Sequence, residues 1–590
     1  MQRHTKRLLG SAIMAGVILM TPACGGGGGG DSPTPTPTPT SPSGTSTPSA
    51  EDTLSTNEES ARLLIQASFG PSQADIDALT GRSMSGWYRD QIAEPRFQHL
   101  PGILDKELAA RASGTDVYNL HSNSFWQAAV EEDDQLRQRM AFALSQIMVI
   151  SDSGDLGGWH LMLADYMDIL SEHAFGNYRE LLEAVTYSPA MAGYLTYLTN
   201  AKADPYSGRM PDENYAREVM QLFSIGLVEL EMNGEVRTGA DGNPIETYTN
   251  DDVRGLAKVF TGLSLKGSNF WNWYNTRDDD AEYSRLVMFD EWHSEEEKSF
   301  LGVTIPAGTS GDESIGIALD TLAEHPNTPP FISRQLIQRF TTSHPSPAYI
   351  ERVATAFANG RYTLLDGSQI GDGRRGDLSA TLAAVLMDEE AVNTNMSDPG
   401  WGRVREPILR FIHWARAMNV NSGDASKLGL LGWANSPDFL GQHPYRSPSV
   451  FNYYRPGYIA PGTATGDAGL TAPELQIVNA STVIGYASFM DYFQRGWVQY
   501  DEDGERTTGF LPDLTVETAM ADDPEALVDR LDLLLTAGQM DEETKARIIG
   551  VLNEMPIAPY NPDNEEEHRR IRVDVAVNMV LTTPEFLVQR

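Results

Sequence analysis

The chain has almost no cysteine: Cys24 is the only one in 590 residues. That excludes an intramolecular disulfide. Beyond residue 24 it also excludes a thiolate metal site and a cysteine nucleophile. Lysine is scarce too, with 8 among 44 basic residues and arginine supplying the rest. Against these stand 82 acids, for a net charge of −38. A surface of that sign repels nucleic acid and anionic headgroups, so no nucleic-acid partner is expected. No apolar run after Met20 is long enough to span a bilayer. The familiar catalytic signatures are missing as well: no G-x-S-x-G elbow, no H-E-x-x-H, no P-loop and no Rossmann glycine run following a strand.

What is present begins with a targeting pattern. Arg3, Lys6 and Arg7 precede a short apolar stretch, Leu8–Met20, and Thr21-Pro22-Ala23-Cys24 follows. A charged start, a short apolar stretch and a small residue before cysteine read as a signal peptide over 1–23 with lipid attachment at Cys24. The alternative is an ordinary signal peptide with an incidental cysteine. Removing residues 1–23 would take the net charge from −38 to −41, because the segment carries three bases and no acid. Gly25–Gly30 is a flexible run and Ser32–Pro39 a stiffer Thr-Pro repeat, so 24–50 reads as a spacer between membrane and body. The expected location is the outer membrane or cell surface, with the membrane as a partner through the anchor.

From about residue 58 apolar residues recur at three- and four-residue spacing. Helices are expected over Ala61–Ala67, Leu136–Ile150, Leu161–Leu170, Tyr178–Val185, Tyr215–Ile225, Val253–Phe260, Ile315–Leu322, Phe331–Phe340, Ile350–Phe357, Leu378–Leu386, Ile408–Met418, Leu527–Leu535 and Val573–Leu581. The fold class is therefore mainly α: one large multi-helix domain over 51–590, with a C-terminal subdomain from about 400 as a candidate division. Asp212 can cap a helix from Glu213 that Gly226 closes, and Thr249 with Asp252 forms a capping box for the next. Between them, Asn233-Gly234 and Asp241-Gly242 predict a small β-hairpin excursion near 230–248. Short strands are expected near Arg285–Phe289 and Glu505–Phe510.

Several of these blocks resemble the bacterial domain-of-unknown-function family 1800 (DUF1800). They are ARLLIQASFGP from Ala61, QRMAFALSQIMVIS from Gln138, which matches one subgroup, DENYAREVMQLFSIG from Asp212 and YTNDDVRGLAKVFTG from Tyr248. Phe289–His293 with Lys298 and Leu301-Gly302, Ser449–Asn452 and Thr583–Leu587 continue the likeness in the same order. The resemblance implies export and a large helical domain, and implies no particular reaction. Members of the family often neighbour a sulfatase-like family, numbered 1501 (DUF1501), which makes a protein of that kind a candidate partner.

Three sets of side chains are candidates for chemistry. Glu213, Arg217 and Glu218 share a helical face with Asn214 and Gln221 beside an apolar stripe; they are the catalytic candidates, and a structural network is the commoner role for such a face. Asp251, Asp252, Asp290 and His293 could hold a divalent metal as the cofactor, since hard carboxylates with one imidazole suit calcium, magnesium, manganese or iron. Trp271, Trp273, Tyr453 and Tyr454 lie in two aromatic clusters whose rings suit sugar or polymer surfaces, although packing is their commoner use. Two functions follow as expectations. The first is a surface lipoprotein that binds an extracellular polymer or a protein partner. The second is an extracytoplasmic hydrolase with a carboxylate/histidine or metal-assisted site.

Overall fold

Helices dominate because their ends as well as their stripes are written into the chain. In the computed structural model, which describes residues 52–393, 398, 400–420, 434–436, 439–495, 498–500, 506–508, 511–557 and 564–590, reciprocal capping boxes open the helices Asn57–Ala67, Gln73–Leu79, Asn250–Val259 and Ala480–Gln494. Each box satisfies two backbone N–H groups that have no partner inside the helix. Proline stands in the first turn of Thr328–Phe340, Pro347–Asn359, Pro407–Ala417 and Pro524–Thr536, where its missing N–H costs nothing. The expected segments appear with borders moved by a few residues. Three depart further: Gln135–Ser145 and Asn214–Gln221 end before Ile150 and Ile225, and Glu565–Leu581 starts well before Val573. Ser151, just beyond Ile150, bridges to Arg446. Helices His99–Ser113, Leu120–Glu131 and Glu542–Glu554 lack a clean apolar stripe and were not legible in the sequence.

Strands among the described residues occur only as two-stranded antiparallel pairs. Val287–Met288 pairs with Leu263–Ser264, and Arg506–Thr508 with Val498–Tyr500, where the sequence placed short strands. The 230–248 excursion is antiparallel but discontinuous. It consists of isolated bridges, Val228 to Glu246, Leu230 to Val236 and Thr238 to Pro244. Gly234 and Gly242 both turn with φ of 78°. Asn327 explains why the excursion keeps its shape without a ladder. Its side chain donates to Ile225 O at 2.6 Å and Val228 O at 2.8 Å, and accepts from Leu230 N at 2.6 Å.

The described body from Asp52 to Arg590 is built on one large apolar core, with a small second cluster of Ile103, Leu161 and Ala164. Helix Asn57–Ala67 packs on Pro524–Thr536, and Arg416 of Pro407–Ala417 pairs with Asp75 at 3.0 Å. Val588–Gln589 pairs with Arg403–Val404. Residues beyond 400 thus close against the earliest helices. Cys24 and the spacer lie outside the described residues. Among the described residues no helix is long and apolar enough to cross a membrane.

Candidate functional site

The three sequence-derived sets touch at their edges: Arg254 lies 4.0 Å from Glu213 and 2.9 Å from Asp251, and Trp271 packs edge-on to Trp292, between Asp290 and His293. Asn214–Gln221 forms the expected helix, with Asp212 Oδ1 accepting from Asn214 N at 2.8 Å. Glu213 and Arg217 make a half-exposed pair at 3.4 Å. Glu218 instead turns inward and is 7% exposed, with Oε2 unpartnered. Burial raises its carboxyl to about 7, against a weak opposing pull from Arg217. Of the metal candidates, Asp251 is exposed and pairs with Arg254 at 2.9 Å. Asp252 is occupied by Thr249 and by Leu301 N at 2.7 Å. Asp290 opens a short 3-10 turn, and His293 is buried with Nδ1 2.9 Å from Thr261 O. Among the described residues, no three His, Cys, Asp or Glu side chains are grouped to hold a metal. Trp271 is half exposed beside Trp292, Trp273 packs on Trp159, and Tyr453 donates to Arg446 O at 2.6 Å. Tyr454 lines a mainly apolar hollow.

That hollow is a groove of about 300 Å³. The 226–236 segment, held by Asn327, supplies one wall through Leu227, Val228, Leu230 and Val236. Leu222 and Gln221 close its end from the Glu218 helix. Gly226 adopts φ of 71° at the helix end, and a Cβ there would stand 2.7 Å from the Phe331 ring, so glycine serves both the turn and the wall. Residues between 450 and 457 also line it, where the Arg455 guanidinium lies 4.5 Å over Phe451 and Gln338 Nε2 donates to Pro456 O at 2.9 Å. Leu227 and Val236 stay exposed at the rim.

The charges of the groove are one-sided. Arg334, Arg339 and Arg455 line it, and no Asp or Glu does among the described residues. Arg339 is 4% exposed and donates to Gln335 O at 3.1 Å and Gln146 O at 3.0 Å, with Nε unpartnered. Arg334 makes no hydrogen bond, ion pair or ring contact among the described residues, and its Nε is buried. Burial lowers both guanidinium pKa values from their usual range. Gln335 Nε2 and Gln146 Oε1 are likewise unpartnered.

Acids lie behind the floor and are already engaged. Arg403 and Glu406 pair at 2.9 Å and Arg403 and Glu474 at 3.3 Å, all essentially without solvent access. Glu406 also accepts from Tyr454 at 2.9 Å, from Gln146 at 2.6 Å and from Gln442. Arg139 donates to Arg339 O from the same side, and burial brings its guanidinium down to about 9. The groove can therefore offer unspent N–H donors and positive charge at the bottom of an apolar slot. An anion with an apolar body meets both.

Of the groove's lining, the sequence reading named Tyr454 and not Arg334, Arg339 or Gln146. Two arginines interleaved with Phe331, Ile332, Leu336, Ile337 and Phe340 in the run FISRQLIQRF were the available signal. A family model described as Protein of unknown function (DUF1800) matches residues 62–588. No curated protein and no solved structure matches the chain.

Proposed function

We propose, given that the chain belongs to the family described as Protein of unknown function (DUF1800), that it is an exported binding protein whose groove takes up an amphipathic anion, a carboxylate on an apolar chain. One observation carries this reading: in a protein of net charge −38, the apolar groove is lined by three arginines and no acid among the described residues. A buried cation without a partner is costly, and a bound anion removes that cost. The overall negative field slows approach of an anion, so selectivity must come from short-range donors inside the slot. The signal pattern and Cys24 support placement of this binding role at the outer membrane or cell surface through a lipid anchor. Mass spectrometry of the mature chain should find Cys24 acylated and residues 1–23 absent; a free thiol there would remove the anchor from the reading.

Calorimetric titration of the full chain with octanoate, decanoate and dodecanoate tests the groove. Decanoate should bind at least about tenfold more tightly than decanol, the value of one charge-assisted hydrogen bond. Arg334→Gln should abolish that preference and leave the melting temperature unchanged or higher. Equal binding of decanol and decanoate, or none of either, would sink the proposal.

Glu218 favours a second reading, an extracytoplasmic hydrolase with a carboxylate as general acid or base. A carboxyl poised at about 7 with a free oxygen is suited to proton transfer. It does not line the groove, whereas Gln221 and Leu222 of the same segment do. Hydrolysis of p-nitrophenyl decanoate that disappears in Glu218→Gln would establish this reading over simple binding.

A further inference from the structure

A second hollow, of about 570 Å³, opens where the helices His99–Ser113, Leu120–Glu131 and His160–Glu172 meet the 446 region. It is more polar than the groove. Glu107, Arg111, Asn119, Asp152, His160 and Arg446 line it. Both guanidinium groups are paired with acids, and Asp116 adds a third lining carboxylate. Arg446 holds Asp152 at 2.6 and 2.7 Å and Asn119 Oδ1 at 3.2 Å. Arg111 pairs with Glu107 at 2.8 Å and forks onto Glu282, both contacts at 2.8 Å. His121 lies 3.3 Å from Asp152 and 3.0 Å from His160 Nδ1, and His160 Nε2 is 3.2 Å from Val117 O. With His160 donating to that carbonyl, its Nδ1 is left to accept from His121.

Two features of this hollow are unspent. Glu107 is only 4% exposed, yet its Oε2 has no partner. An acceptor of that kind is left where a donor from outside the chain is expected. Tyr118 lines the hollow, and a further aromatic group adjoins it. Trp159, between the lining residues Gly158 and His160, stands 6.0 Å edge-on to Tyr274 and 5.8 Å from Trp273. Arg277 joins the two regions: it donates to Glu282 at 2.8 Å and lies 5.0 Å over Tyr274. Tyr274 is 61% and Tyr118 72% exposed, although each ring is large and apolar.

We infer that this hollow is a binding site for a neutral saccharide. Arg111 and Arg446 are already paired and offer an anion no free charge, while the remaining lone pairs and N–H vectors of the paired groups match the closely spaced hydroxyls of a sugar ring. Exposed flat rings in and beside the hollow complement the sugar's C–H faces. An anion would meet Glu107 and Asp152, and a free cation would meet Arg111 and Arg446. The hydroxyl, both donor and acceptor, suits all four.

The test is calorimetric titration of the full chain with neutral oligosaccharides of cellulose, xylan, starch and laminarin, and with anionic oligogalacturonate. At least one neutral series should bind, and Tyr118→Ala with Tyr274→Ala should weaken it at least tenfold while the melting curve is kept. Glu107→Gln should weaken it by a similar factor; because that side chain is buried, the tyrosine variant stands as the independent check. Co-sedimentation with the insoluble parent polymer separates a polymer ligand from a free oligosaccharide. Failure of every neutral series to bind, preferential binding of oligogalacturonate, or unchanged affinity in the tyrosine variant would overturn the inference. Decanoate binding at the groove is unaffected by any of these outcomes, so the two sites fail separately.

Discussion

The groove and the polar hollow are built from the same cation but use it differently. In the hollow, Arg446 and Arg111 are locked onto carboxylates. In the groove, Arg334 is left without an acid and Arg339 bonds only to backbone carbonyls among the described residues. A paired arginine is structural: its partner has been desolvated with it, and removing it strands a charge. An unpaired one is a standing cost to the fold, tolerated where a ligand supplies the missing anion. Arginine rather than lysine suits both uses, because its planar fork serves two acceptors and it sheds water more readily.

The largest effect should come from the acid–base cluster beneath the groove. Arg403→Met leaves Glu406 and Glu474 buried and facing each other, and should cost about 3–5 kcal/mol in a denaturant melt. Next comes the direct contrast. Arg446→Met should destabilise by about 2–3 kcal/mol, since Asp152 loses its main partner. Arg334→Met should cost nothing or stabilise. Equal losses for the two would erase the distinction between paired and unpaired arginines.

Acid titration sharpens the same contrast. Burial alone would push the Asp152 carboxyl up, but Arg446 and His121 hold it well below the usual carboxylate range. Its contribution is present above the unfolded value and is lost as pH falls through the folded one. Glu218 runs the other way. Its folded value is about 7 against an ordinary value of 4.5, so folding takes up a proton between them. Stability from this group is full below about pH 4.5 and is lost as pH rises through about 7. Glu218→Gln should therefore raise the denaturation midpoint at pH 8 and leave it unchanged at pH 4. No difference between the two pH values would mean that the carboxyl is solvated. The smallest effect belongs to the surface pair: Glu213→Ala should change stability by less than about 0.5 kcal/mol.

Legibility in the sequence followed distance along the chain. Thr249 and Asp252 are three residues apart, and their box was readable because capping is local. Glu218 was readable as a polar residue against an apolar stripe. Helix Leu120–Glu131 was not, because it buries His121, Ser122, Asn123 and Ser124 along with its apolar residues, which blurs the period. The hollow was still less accessible, since Asp152 and Arg446 are 294 positions apart and meet only through tertiary packing. The Phe270–Tyr274 cluster was placed correctly as aromatic but not as divided. Phe270 is buried, whereas Trp271 and Tyr274 are exposed.

The clasp between 403–404 and 588–589, with helix Asn57–Ala67 seated on Pro524–Thr536, bears on how the protein is made. Arg405 is held by Phe586 O, so the strand that carries Arg403 has its register set by residues made almost two hundred positions later. The floor of the groove cannot be assembled until the 580s have been delivered. A chain threaded through a translocation channel from its N-terminus would emerge with its first helix waiting for a partner some 470 residues behind. Such long-range closure slows folding and exposes apolar surface meanwhile. Loss of the 584–590 segment should therefore abolish ligand capture and the yield of folded protein together, although none of those residues lines either cavity.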